Sequence, residues 1–340
     1  MRNTSPDPAD TAPIGPPPPF DPELAAALAV ITQILPPGGS GADPGETPPE
    51  DVPGMAPVTD ADLERGGAFR VAERSVPGPA GAPEVSLLIC RPARRPARAA
   101  APTPALYHIH GGGMMVGDNR TGMPDMLDLA EELGLAVVSV EYRLAPGTPH
   151  PGPVEDCYTG LRWTAEHAEE LGVDPERIVV AGGSAGGGLA AAVALMARDR
   201  GGPALFGQLL MCPMLDDRND TPSAHQMTGV GVWDRASNEA GWTALLGAAR
   251  GTDDVSPYAA PARATDLSGL PPAFIDVGSA ETFRDEDVDY ASRLWRAGGQ
   301  AELHVWPGAF HGFSGMAPHA AISRDARAAR LVWLRRLLAT

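Results

Sequence analysis

Arg177-Ile-Val-Val-Ala-Gly-Gly-Ser-Ala-Gly-Gly-Gly-Leu-Ala190 is a short β-branched run that turns at once into an Ala-rich one. It reads as strand, sharp turn, helix. Gly182-Gly-Ser-Ala-Gly186 within it fits the nucleophile-elbow pattern, where small residues around a serine tolerate a strained turn and leave the hydroxyl clear of the backbone. Nothing after Gly188 breaks a helix as far as Arg198, so the first free N–H groups of that helix point at whatever the serine attacks. A chain with 40 glycines can produce such a pattern without function, so its weight depends on what accompanies it.

Upstream lies Tyr107-His-Ile-His-Gly-Gly-Gly-Met-Met115, a strand running into three glycines about 70 residues before the serine. Three residues without side chains let backbone N–H groups converge on one oxygen, which is what an elbow serine requires of its surroundings. Serine also needs a positioned base and a carboxylate to orient it. His311 follows a predicted strand and sits between small residues in Trp306-Pro-Gly-Ala-Phe-His-Gly-Phe313, whereas His150, His167, His225 and His319 have no such placement. The preceding strand ends in Phe274-Ile-Asp-Val-Gly-Ser-Ala-Glu-Thr-Phe-Arg-Asp-Glu286. Asp276 falls inside that strand, Asp285 is expected to cap the following helix, and Glu281 occupies the loop between them, so Glu281 is chosen as the acid. The order Ser184, Glu281, His311 is that of an α/β-hydrolase triad.

The wider pattern agrees. Strands expected at 85–90, 105–109, 135–140, 178–181, 206–212, 273–277 and 302–306 alternate with helices at 123–133, 154–171, 185–198, 287–297 and 320–338, the signature of a mostly parallel sheet covered on both faces. The rhythm breaks between Asp216 and Val255, which reads as a helical insertion beyond the carboxyl edge of the sheet. Residues 1–20 are Pro-rich and expected to be disordered. Asp21-Pro-Glu23 starts an amphipathic helix carrying Leu24, Leu28, Ile31 and Leu35. A Pro/Gly/acid linker follows at 36–57, then a short helix at 60–72.

Composition limits the alternatives. The 340-residue chain is 43% hydrophobic, enough for a large core, and its 26 basic and 43 acidic residues leave a net charge of −17. All basic residues are Arg; there is no Lys. Such a surface repels phosphate backbones and anionic membranes, arguing against nucleic-acid and membrane partners. Cys90, Cys157 and Cys212 are odd in number and outside any metal-ligand spacing, which points to a reducing compartment, the cytoplasm, and to no structural metal.

His110-Gly-Gly-Gly113, Gly183-Ser-Ala-Gly-Gly187, Glu141-Tyr-Arg-Leu-Ala-Pro146, Pro153-Val-Glu-Asp156, Ser256-Pro-Tyr258 and Phe310-His-Gly-Phe313 together resemble the bacterial hormone-sensitive-lipase-like (family IV) esterases over roughly residues 60–335. The resemblance implies an eight-stranded α/β-hydrolase catalytic domain (63–340), with a helical cap from residues 21–62 and an insertion at about 216–255. It further implies hydrolysis of short- to medium-chain carboxylic esters through an acyl-enzyme. By motif position, Ser184 is the nucleophile, His311 the base, Glu281 the acid, and Gly112, Gly113 and Ala185 the oxyanion-hole donors, supported by His110, Gly111 and Asp285. Glu stands where the family's acid motif commonly has Asp, and Gly183 where it has a polar residue. The partner implied is a small-molecule ester, with no cofactor and no metal; a homodimer stays open. An eliminase and a non-catalytic small-molecule receptor are the other uses of this fold, and intact Ser184 and His311 weigh against the receptor.

Overall fold

The computed structural model describes residues 13–34, 56–93 and 102–340, and the expected linker at 36–57 and the first part of the Pro-rich start lie largely outside them. Residues 13–21 carry no helix or strand and lead into α1 (Pro22–Ile34), with α2 (Asp60–Glu64) after it. The strands are β1 (Phe69–Val76), β2 (Val85–Pro92), β3 (Thr103–Ile109), β4 (Ala136–Glu141), β5 (Val173–Gly183), β6 (Gly207–Met211), β7 (Ala273–Gly278) and β8 (Ala301–Trp306). Between them run α3 (Met123–Leu133), α4 (Gly152–Glu166), α5 (Ala168–Leu171), α6 (Ala185–Asp199), α7 (Pro222–Gln226), α8 (Arg235–Leu246) and α9 (Arg284–Arg296), and α10 (Phe313–Met316) and α11 (Ala321–Leu338) close the chain.

The strands form one sheet of order β1-β2-β4-β3-β5-β6-β7-β8, in which β2 runs antiparallel to both neighbours and the rest are parallel. Successive side chains on a strand point to opposite faces, and the core divides accordingly. Leu87, Ile89, Tyr107, Ile109, Val138, Val140, Val180 and Ile275 pack with Val154, Leu161, Leu189, Val193, Tyr290 and Leu294 of α4, α6 and α9. Leu88, Cys90, Leu106, Val137, Val179, Leu209 and Phe274 pack with Met126, Leu127, Ala130, Trp333 and Leu334 of α3 and α11. A third cluster joins Leu24, Leu28 and Ile31 of α1 to Val232, Phe310 and Phe313.

Three expectations need correction. The short helix expected at 60–72 stops at Glu64, and Phe69–Val76 is the edge strand β1. Its burial runs mostly exposed between a buried Phe69 and a buried Val76, so alternation is absent from its sequence. The helix expected at 154–171 is broken at His167, whose ring stacks on Trp163 at 4.2 Å. Asp285 does not cap α9: the helix begins one residue earlier, with Phe283 at the cap position.

Ion pairs on buried carboxylates hold the sheet's surroundings together. Arg143 clamps the buried Asp156 with its Nε and a terminal nitrogen, both at 2.8 Å, and with its backbone N–H at 3.0 Å. Arg263 pairs with buried Asp217 at 2.7 and 3.0 Å while Asp217 also accepts from the Gly251 N–H, tying both ends of the 216–255 insertion to the body. Within the sheet, Asp276 is 1% exposed and receives Arg330 Nε at 2.9 Å and Trp306 Nε1 at 3.2 Å. Removing one partner of a buried ion pair strands the other charge in low dielectric. Arg330→Met is therefore expected to lower unfolding free energy by about 3–5 kcal/mol, read from urea denaturation; a loss below about 1 kcal/mol would contradict this account of Asp276.

Candidate active site

Ser184 stands at φ 56°, ψ −125°, the only non-helical residue between β5 and α6. Its N–H donates to Met211 O at 2.8 Å, and its carbonyl accepts from Gly188 at 3.0 Å and Met214 at 2.9 Å, so the strained backbone is held on both sides. Close approach explains the glycines. A Cβ on Gly182 would stand 2.2 Å from Gly186 O, and one on Gly186 only 2.1 Å from Ile109 O, distances no real side chain tolerates. The first turn of α6 thus lies directly against the carbonyl end of β3.

His311 lies in the loop between β8 and α10, and Glu281 between β7 and α9. His311 Nε2 is 2.9 Å from Ser184 Oγ, and His311 Nδ1 is 2.5 Å from Glu281 Oε1. Glu281 is 1% exposed and also accepts the Gly278 N–H at 3.3 Å. With Nδ1–H donated to the carboxylate, Nε2 is left to accept the serine proton. Burial alone would lower the His311 pKa, but the neighbouring Cys212 and Glu281 raise it well above the ordinary imidazole value. The structure brings these three predicted residues into one hydrogen-bonded chain.

Asp285 is elsewhere. Its carboxylate accepts the Ser223 N–H at 2.8 Å and Arg284 Nε at 2.7 Å, fastening α7 to the start of α9. Glu286, also buried, accepts the N–H groups of Leu215 and Asp216 at 2.7 and 3.2 Å, and burial pushes its pKa well up.

Gly112 and Gly113 sit at φ +109° and +60°, and neither their N–H groups nor that of Ala185 donates to any described residue. A Cβ on Gly111 would come within 3.4 Å of the Ser184 Cβ, so this loop runs alongside the elbow. His110 is fully buried beneath it, stacked on Tyr142 at 4.1 Å, with Nδ1 donating to Gly111 O at 2.7 Å. Burial depresses its pKa to about 4, so it is neutral at physiological pH and shapes the loop.

Sequence reading missed two neighbours of the imidazole. Trp233, from the insertion, lies 6.2 Å from the His311 ring, and its own ring would meet a Cβ on Gly113 at 2.3 Å, so it packs against both the glycine loop and the imidazole. Cys212 has left-handed backbone at φ 38° immediately after β6, and its sulfur, a Glu281 oxygen and a His311 nitrogen lie within 4.8 Å of one another. The signal for Cys212 was its place at the carboxyl end of the strand beside the elbow strand, where loops build sites. Trp233 had no comparable local signal.

The alpha/beta hydrolase fold family matches residues 106–315. "Esterase LipI" of Mycobacterium tuberculosis is 36% identical over 270 residues, covering 79% of this chain and 83% of that protein. "Carboxylesterase NlhH" of the same species is 38% identical over 237 residues, covering 69% and 74%. Among solved structures, "Bacterial Heroin Esterase" superposes with a TM-score of 0.80 at 42% identity, covering 94% of this chain and 98% of its own. Esterase LipW from Mycobacterium marinum does so at 0.73 and 33% identity, covering 98% and 96%. A family match over more than half the chain, with relatives of this identity and coverage, makes the chain a member of the α/β-hydrolase family, in its bacterial hormone-sensitive-lipase-like branch of carboxylic ester hydrolases.

Proposed function

We propose that this ester hydrolase is a serine carboxylesterase acting on short- to medium-chain carboxylic esters through an acyl-enzyme. The observation that carries the reading is the unbroken chain from Ser184 Oγ through His311 to Glu281, at 2.9 and 2.5 Å. Ser184 Oγ attacks the ester carbonyl carbon as His311 Nε2 takes its proton. The tetrahedral oxyanion is held by the N–H groups of Gly112, Gly113 and Ala185, the last at the positive end of α6. His311 then returns the proton to the leaving alcohol, and the same cycle with water as nucleophile releases the acid. Glu281 fixes the tautomer and stabilises the imidazolium. Trp233 and Phe283 beside the imidazole favour an apolar acyl group over a charged one. The base within reach of the serine argues against a non-catalytic receptor; a burst of product on mixing with an activated ester separates the esterase from an eliminase. Cytoplasmic location belongs to the proposal and rests on the three free cysteines.

A panel of p-nitrophenyl esters from acetate to laurate tests the reading. Activity is expected to be highest toward the short end, and Ser184→Ala is expected to cut kcat by a factor on the order of 10⁴ to 10⁶ with the fold intact. A folded Ser184→Ala protein that kept more than a few per cent of the rate would remove Ser184 from the role.

The acid is tested by charge removal. Glu281→Gln should lower kcat about 10³- to 10⁴-fold, whereas Asp285→Asn should act mainly through the α7 contact, with a smaller rate effect. The raised His311 pKa means that the fold favours the protonated ring, so the base form accumulates only as pH rises. The acid limb of kcat/KM is expected on the alkaline side of the ordinary value of about 6.5, and Glu281→Gln should move it to lower pH. A limb unmoved by that change, or a collapse confined to Asp285→Asn, would reassign the acid.

The cap role of α1 is part of the proposal. Leu24, Leu28 and Ile31 rest on Phe310 and Phe313, the residues bracketing His311, and the Asp21 N–H donates to Gly308 O at 3.0 Å. Deleting residues 1–57 should change KM and kcat more than melting temperature. Unchanged kinetics across several esters would refute the cap assignment.

A further inference from the structure

We propose that Cys212, His311 and Glu281 form a capture site for a thiophilic divalent cation of the zinc class, whose binding reversibly switches the enzyme off. The switch rests on the triad reading; the binding site does not.

The donors are a thiol sulfur, an imidazole nitrogen and a carboxylate oxygen, all within 4.8 Å of one another. A sulfur–nitrogen–oxygen set suits zinc and its neighbours far better than magnesium or calcium, and three protein ligands leave a fourth tetrahedral position open. Metal–ligand distances of roughly 2.0–2.3 Å put tetrahedral donors about 3.3–3.7 Å apart. The Glu281–His311 pair, now at 2.5 Å, must therefore open slightly while the sulfur closes in. Those are side-chain shifts on the order of 1 Å within the loops that follow β6, β7 and β8, with no movement of the strands themselves.

The surroundings favour a cation at this place. Asp287 is completely buried, and neither carboxyl oxygen finds a hydrogen-bond partner among the described residues. Burial, with Glu286, Glu281 and Cys212 nearby, raises its pKa well above the carboxylate range. Positive charge on a bound divalent cation counters that shift. Access is also selective: Cys90 and Cys157 are buried, while Cys212, like Ser184, is partly exposed.

Binding at His311 Nδ1 requires the neutral ring with its one proton on Nε2, so the ring proton shifts from Nδ1 to Nε2 by exchange with solvent, and the Cys212 thiol proton is released to solvent. The cation then holds the Glu281 carboxylate that oriented the ring and draws electron density from the imidazole. Nε2 now carries the ring proton, and Ser184 loses its proton acceptor. No redox change is involved, so a chelator restores the original hydrogen bond.

Cobalt(II) is the spectroscopic probe and zinc(II) the inhibitor, both applied to the full chain. One equivalent of cobalt should produce a thiolate-to-cobalt charge-transfer absorption that zinc abolishes by displacement and that Cys212→Ser and Cys212→Ala both lack. Zinc should lower esterase turnover at least about tenfold, EDTA should restore it, and the half-inhibiting zinc concentration should rise at least about tenfold in the Cys212 variants, a loss typical of removing one metal ligand or its support. Absence of the absorption in the parent protein, or its persistence in both folded variants, overturns the site. Cobalt binding without inhibition, or inhibition equal in parent and variants, overturns the switch. If no ester is hydrolysed, the triad reading fails while the cobalt spectrum still decides the site.

Discussion

The structure depends on the absence of a side chain where α6 meets the end of β3. With Gly186 packed so closely on Ile109 O, even a methyl group would push the helix away from the sheet. Gly188 faces the same restriction at Met214 O, where a Cβ would stand 2.0 Å away. The helix is therefore wedged between the carboxyl ends of β3 and β6, and Ser184, the residue at its mouth, has no freedom to relax out of its positive φ. Position and strain together present the hydroxyl, and the free N–H groups of the first helical turn come with it.

Around that fixed point, buried acids on and after β7 are handled in different ways. Asp276 is neutralised by Arg330, Glu281 by its bond to His311, and Glu286 by two backbone N–H groups. Asp287 has none of these among the described residues, and its raised pKa favours the neutral acid. So much burial of carboxyl groups on and after β7 makes the local potential sensitive to any added charge. That sensitivity links the proposed base, whose pKa is raised, to the proposed cation site at Cys212.

The fold class was legible because a parallel sheet buried on both faces leaves unbroken apolar strands, and neighbours such as Val179 and Val180, or Leu209 and Leu210, sort to opposite faces by position alone. β1 escaped notice because an edge strand with Arg70, Glu73 and Arg74 turned to solvent has no apolar period to detect. Asp285 looked like a helix cap because its residue type favours that place, but α9 had already begun at Arg284 and the carboxylate serves α7. Ser184, Glu281 and His311 could be singled out from local motifs and chain order. Trp233 could not, and Cys212 had only its place at the end of a strand, since their nearness to the imidazole is created when the insertion folds over the sheet and β6 pairs with β5 and β7.

The central claim is that Ser184 is the residue acylated in each turnover. Its most direct test is to treat the active enzyme with a p-nitrophenyl alkylphosphonate, which leaves a stable tetrahedral adduct on an activated serine, and to locate the adduct by peptide mass spectrometry. The account predicts one adduct per chain, on Ser184, with p-nitrophenol released in equal amount and esterase activity lost in proportion. An adduct on another residue, or full inactivation with Ser184 unmodified, would contradict it.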